Sequence, residues 1–247
     1  MGLRISAKWG RPVHSVERDV RLLILAASAG SADGWSYFGL AHAFVANMTG
    51  NTVLLGIAVF QNHGDLLHPA ISLGCYAVGA VIGSFLTGDV PPGTFWSKAI
   101  SWTLMLEALL LVAAETGWIA IHLRAHHSPN LILLLATVAL AIGLQSGAMV
   151  QLKIPGIVTT YITGTWTTLL SGLVRLARQE REHPPKPDME FEQRLRMQGG
   201  VLSVYFLSAV LTGWLFGHLP LAVGALPALS LLVVALHGVL QARAGQQ

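Results

Sequence analysis

Apolar residues dominate this chain in long blocks separated by short polar breaks. The blocks lie near residues 21–41, 45–61, 68–88, 98–121, 130–150, 157–174, 199–217 and 220–241. A hydrocarbon core about 30 Å thick takes about 20 residues of α-helix, so each block predicts a membrane-crossing helix. The blocks at 45–61 and 157–174 stand apart, being short and opening on polar residues. The breaks carry turn chemistry. Residues 61–68 are polar, residues 89–94 hold Pro91, Pro92 and Gly93, and residues 122–129 end on Pro129. The sole long polar segment, 175–198, holds Pro184, Pro185 and Pro187 and predicts a linker with a short amphipathic helix near 188–197.

The blocks fall into two similar halves. Gly30-Ser-Ala-Asp-Gly34 followed by Asn47-Met-Thr-Gly-Asn-Thr52 is echoed by Gly143-Leu-Gln-Ser-Gly147 followed by Tyr161-Ile-Thr-Gly-Thr-Trp166. Further on, the run from Tyr76 to Gly83 resembles that from Phe206 to Gly213. Four spans per half, an even number, predict repeats of the same orientation. The expected architecture is an all-α polytopic bundle of about eight transmembrane helices in two parallel four-helix repeats. Its parts are a basic N-terminus (1–20), a first membrane repeat (21–121), a connector (122–129), a second repeat (130–241) containing the charged linker, and a tail (242–247).

Composition agrees. Charged residues make up 11% of the 247, and mean hydropathy is +0.59. A soluble domain carries about 25% charged residues, so a water-facing surface is excluded. The basic residues cluster: Arg4, Lys8, Arg11, Arg18 and Arg21 precede the first block, and Arg175, Arg178, Arg181, Lys186, Arg194 and Arg196 lie in the linker. Basic residues beside spans mark the cytoplasmic side. Eight spans then place both termini, the 122–129 connector with Arg124, and the linker inside. No aromatic-interleaved basic groove suggests nucleic acid. One cysteine, Cys75, excludes an intramolecular disulfide framework.

Candidate chemistry is sparse. There is no phosphate-binding loop, dinucleotide turn, nucleophile elbow or zinc-protease helix, so no catalytic, cofactor or metal role is expected. His122, His126 and His127 lack the carboxylate or thiolate that would complete a ligand set. The strongest features are the two polar openings: Asn47, Thr49, Gly50 and Asn51 in the first half, Thr159, Thr160, Thr163 and Gly164 in the second. Lipid cannot satisfy such groups, so they face protein or a wet cavity. Broken helices at matching repeat positions expose backbone groups that bind ions and polar solutes. Asp33 sits deep in the first block with Ser146 and Gln145 at the equivalent place, and Glu107 sits deep in the fourth. A carboxylate at that depth costs about 2.5–3.5 kcal/mol on insertion scales, so Asp33 is a candidate proton or cation partner.

Gly30-Ser-Ala-Asp33, Phe44-Val-Ala-Asn-Met-Thr-Gly-Asn-Thr52, Gly143-Leu-Gln-Ser-Gly147 and Thr159-Thr-Tyr-Ile-Thr-Gly164 resemble the YoaK-type family of bacterial inner-membrane proteins, a domain of unknown function. The likeness runs from about residue 20 to 240 and departs at Gly34, where a somewhat larger small residue such as alanine is expected. It implies a multi-pass inner-membrane location and supplies no substrate. The expected function is a secondary transporter or permease for a small polar solute, with a coupling proton or cation and a site between the repeats. The alternatives are a membrane scaffold, sensor or assembly partner and, more remotely, an intramembrane lipid enzyme. An oligomer is compatible with either.

Overall fold

The computed structural model describes residues 13–60, 65–90, 96–123, 130–152, 162–179 and 189–244. They form eight α-helices: α1 (Val13–Gly39), α2 (Met48–Ala58), α3 (Leu67–Thr87), α4 (Lys98–Leu123), α5 (Asn130–Val150), α6 (Ile162–Gln179), α7 (Met189–His218) and α8 (Ala225–Ala244). A single 3-10 turn, Pro220–Ala222, precedes α8. No strand occurs among the described residues. The long apolar blocks predict this, since in hydrocarbon a helix satisfies its own backbone.

Five helices are long and apolar enough to cross a membrane: α3, α4, α5, most of α7, and α8 with its preceding turn. α1 is comparably long at 27 residues but carries Glu17, Arg18, Asp19, Arg21 and Asp33. It packs lengthwise against α7 and α8, and we read it as the sixth crossing. α2 and α6 differ in kind. α2 has 11 residues, about 16 Å at 1.5 Å per residue, too short to cross. α6 has 18 residues, several of them polar, and its last turns carry Arg175 and Arg178. The expectation of eight spans is corrected to six long helices and two short ones.

Helix directions follow from side-chain pairs. At one end of the bundle Arg21 of α1 meets His237 and Gln241 of α8 and lies over the ring of Trp96, just before α4. At the other end Trp35 of α1 packs edge-on against Trp118 of α4, and Trp118 donates to the carbonyl of Pro220 at 2.8 Å. So α1 and α4 run from the Arg21 face to the Trp118 face, and α8 returns. α7 runs parallel to α1, because Gly30 meets Tyr205 and Gly34 meets Ala209. α3 runs parallel to α5, because Gly143 meets Tyr76 and Gly147 meets Ala80. α5 opposes α4, with Leu134 beside Gly117. Hence α1 and α5 point in opposite directions, as do α3 and α7, and α4 and α8. The expectation of two halves in one orientation does not hold. The 122–129 connector, expected inside, lies outside the described residues from 124 on; α4 ends on the Trp118 face, opposite the start of α1. Of the basic residues, Arg18 and Arg21 in α1, Arg175 and Arg178 in α6, and Arg194 and Arg196 in α7 lie toward one end of the bundle.

The close pairs are made by small residues. A Cβ on Gly30 would collide with the Tyr205 carbonyl, and one on Gly143 with the Tyr76 carbonyl. Between helices in lipid there is little hydrophobic drive, so backbone approach of this kind supplies the packing. The expected alignment of Tyr76 with Phe206 is therefore off by one. The packing equates Tyr76 with Tyr205.

The short helices are oriented by their neighbours too. Asn51 of α2 bonds Ser72 of α3 at 3.0 Å, and Thr168 of α6 accepts from Gln198 of α7 at 3.0 Å. α2 therefore runs outward to the Trp118 face, where α3 begins, and α6 runs outward to the Arg21 face, where α7 begins. This sets a labelling experiment with a membrane-impermeant maleimide in a Cys75→Ala background. Phe60→Cys and Arg178→Cys, at the outer ends of α2 and α6, are expected to react from opposite sides of sealed vesicles. Reaction from the same side is the outcome of eight full spans.

Candidate functional site

The chain after α1 turns back into the protein. Leu40, Ala43, Val45 and Ala46 are buried, although they belong to a loop. The reversal puts Ala41 at φ 109° and His42 at φ 58°, a region that L-residues enter at a cost of roughly 1–3 kcal/mol each. Something must hold this loop, and Asp33 does. Its Oδ1 accepts the backbone N–H groups of Val45 (2.8 Å), Ala46 (2.6 Å) and Asn47 (3.3 Å). Its Oδ2 accepts the hydroxyl of Tyr205 from α7. Asp33 lies six residues before the end of α1, about 9 Å inside it. The loop therefore dips that far back before α2 starts.

Asn51 completes the loop. It is fully buried, takes the Phe44 N–H at 2.9 Å and gives its amide to the Phe44 carbonyl at 2.6 Å. Ser72 bonds the same carbonyl. Asn47 caps α2, its side chain accepting from Gly50 N–H at 3.1 Å. Local sequence explains these choices: Asn is a preferred N-cap, and a Cβ on Gly50 would press on Asn47 and Phe44.

A cavity of about 420 Å³ opens where the two short helices begin. Ala46, Asn47, Met48 and Thr49 form one wall, Ile162 and Thr163 another, and Tyr76, Ser146, Val150 and Tyr205 the rest. Tyr76 lies nine residues into α3, about 14 Å from its start. Among the described residues of the wall the polar groups are hydroxyls and one amide, with no charged side chain. Of the expected site residues, Asn47, Thr49 and Thr163 meet here. Gly50 and Asn51 stand behind the wall as structure. Gly164 sits one residue past it, and its carbonyl accepts the Thr168 hydroxyl at 3.0 Å. Gln145 is buried and turned toward α1, donating to the Leu25 carbonyl at 3.2 Å. Asp33 does not reach the cavity directly; Tyr205 stands between them. Thr159 and Thr160 lie outside the described residues.

Tyr76, Tyr205 and Ser146 also line the cavity; the sequence marks Ser146 only as the counterpart of Asp33 and does not mark the tyrosines. The repeat alignment shifted to Tyr76 and Tyr205 would have singled out the two tyrosines.

The model of the family described as "Protein of unknown function (DUF1275)" matches residues 21–237. The chain belongs to this family. It is also 32% identical over 158 residues, 63% of this chain and 67% of the other, to the UPF0700 transmembrane protein YoaK of Bacillus subtilis (strain 168). No solved structure matches. The membrane assignment is thereby shared with a relative named as a transmembrane protein.

Two other acids lie apart from the cavity. Glu115 of α4 accepts the backbone N–H groups of Gly224 and Ala225 at the start of α8, a capping role like that of Asp33. Glu107 is fully buried in α4, and neither of its oxygens has a hydrogen-bond partner among the described residues. Among the described residues no three His, Cys, Asp or Glu side chains cluster as metal ligands. His122 is occupied with Trp118, whose carbonyl lies 3.0 Å from its Nδ1, while His126 and His127 fall outside the described residues.

Two stability outcomes follow. Asp33→Ala strands three loop N–H groups and the Tyr205 hydroxyl. It is expected to destabilise by about 3–5 kcal/mol, read as loss of a folded peak in detergent. Asp33→Asn keeps an acceptor for the loop and is expected to stay folded. Equal behaviour of the two contradicts the stapling role. Glu107→Met replaces an unpartnered polar group by an apolar one of similar size, and an unchanged or raised thermal midpoint is expected. A fall of several degrees contradicts that account.

Proposed function

We propose that the protein is a bacterial inner-membrane permease or secondary transporter that passes a small polar solute through the cavity between its halves. The observation that carries this reading is the meeting of two short helices at one polar cavity, flanked by Tyr76 and Tyr205. Short helices that begin inside the bundle are tolerated only where they line a cavity or are buried in protein. Inverted repeats with such helices at their interface are a transporter plan, and the packing of α1 on α7 and of α5 on α3 through equivalent glycines supports an internal repeat of that sense. Each half contributes three long helices and one short one, and the two short helices open to opposite faces. The positive-inside rule favours the cytoplasm for the Arg21 face, where α1 and α7 start and α6 ends.

The cavity holds far more than one water, whose share of liquid volume is about 30 Å³. Amide and hydroxyl groups offer both donors and acceptors, which suits polyols, amides or small acids. Among the described residues of the wall no nucleophile stands beside a base, and its amide and hydroxyls support binding and passage. Asp33 is one hydrogen bond removed from the cavity through Tyr205. A proton or cation coupled to transport would act on the solute through that hydroxyl.

Stopped-flow swelling of proteoliposomes, with a panel of small polyols, amides and monocarboxylates, tests the reading. At least one solute is expected to enter faster than into protein-free vesicles, and Thr163→Trp, which fills the cavity, is expected to reduce that entry at least tenfold. Thr167→Trp, one turn farther along α6, is the control expected to retain it. No flux for any solute, or equal flux through both variants, contradicts the proposal.

A further inference from the structure

A second cavity, about 390 Å³, lies between the outer halves of α6 and α7. Its lining includes Arg175 and Arg194 from the two helices, the hydroxyls of Thr168 and Ser171, the amide of Gln198 and the ring of Phe191. No carboxylate is among its described lining residues. Arg175 is held in place by its stack on Phe191, the guanidinium carbon 4.5 Å from the ring centre. Gln198 donates to Thr168 at 3.0 Å, closing the floor, and the Leu195 side chain fills the space beside Gly172.

The level of the groove in the bundle is set by contacts to α1. Gln193 of α7 donates to Asp19 at 3.3 Å, and Gly200 meets Leu23. Arg194 therefore stands level with Arg18 and Arg21, where the charged start of α1 passes into its apolar stretch. That level is where the bilayer presents its headgroups.

We infer that this α6–α7 groove binds an anionic phosphate group at the cytoplasmic membrane surface. Two guanidinium groups give planar, paired donors that match phosphate oxygens, and the hydroxyls and amide add further donors. Basic pockets between helices at a cytoplasmic surface hold anionic lipid headgroups by the same chemistry. A free inorganic phosphate would satisfy the same groups. The groove is separate from the central cavity, so its occupancy does not depend on the transport reading. It would anchor the α6–α7 pair, the pair that carries the second short helix.

The test uses the full-length protein in neutral detergent and a fluorescent phosphatidylglycerol presented in mixed micelles, with phosphatidylcholine and inorganic phosphate as competitors. Saturable phosphatidylglycerol binding is expected. It should weaken about fivefold in Arg194→Gln and at least tenfold in Arg175→Gln/Arg194→Gln, and it should fall as salt rises. Arg194 is exposed, so the single variant remains informative if the double one does not fold. Competition by millimolar inorganic phosphate assigns the site to the phosphate group alone, and its failure to compete assigns the site to the lipid. Equal displacement by phosphatidylcholine, binding unchanged in Arg194→Gln, or no saturable binding overturns the inference.

Discussion

The carboxylate of Asp33 is the contact on which the first half of this protein turns. A loop that re-enters the bundle brings unpaired backbone N–H groups into a region without water, and each must be satisfied there. One oxygen of Asp33 takes three of them, and the other reaches Tyr205 on α7. A single side chain thus joins α1, the re-entrant loop and a helix of the other half. Its insertion cost is offset by four donors, and the strained turn at Ala41 and His42 persists because the loop beyond it is so firmly held.

From that constraint the central cavity follows. α2 begins deep because Asp33 is deep, so Asn47 and Thr49 come to face Tyr76 and Tyr205 rather than an aqueous surface. α6 arrives from the second half and brings Thr163 to the same place. The halves are not chemically equal: where the first has Asp33, the second has Ser146, which itself lines the cavity.

Much of this was legible in the sequence, and the errors have physical causes. Long apolar blocks reveal helices, and polar openings reveal groups that lipid cannot serve, so Asn47, Thr49 and Thr163, which line the cavity, stand out in the sequence. Two short blocks look like short spans when read by hydropathy alone. The decisive fact, that α2 leaves by the face it entered, depends on its pairing with Ser72 of α3. Counting α2 and α6 as spans made each half even and turned an opposed pair of halves into a parallel one. Asp33 was recognised as unusual, but its partners are backbone groups 12 to 14 residues on and a tyrosine 172 residues away. No local pattern announces such partners. Tyr76 and Tyr205 were hidden by an alignment one residue out of register, which only the carbonyl contacts of Gly30 and Gly143 correct.

The claim that both short helices open onto one shared cavity is tested most directly by intramolecular cross-linking. Thr49→Cys and Thr163→Cys would be combined in a Cys75→Ala background and treated with a short bis-maleimide in native membranes. The account predicts an efficient cross-link within one chain, lost when either cysteine is moved to the far end of its helix. Two cysteines that each react with a single maleimide, yet never join, would contradict it.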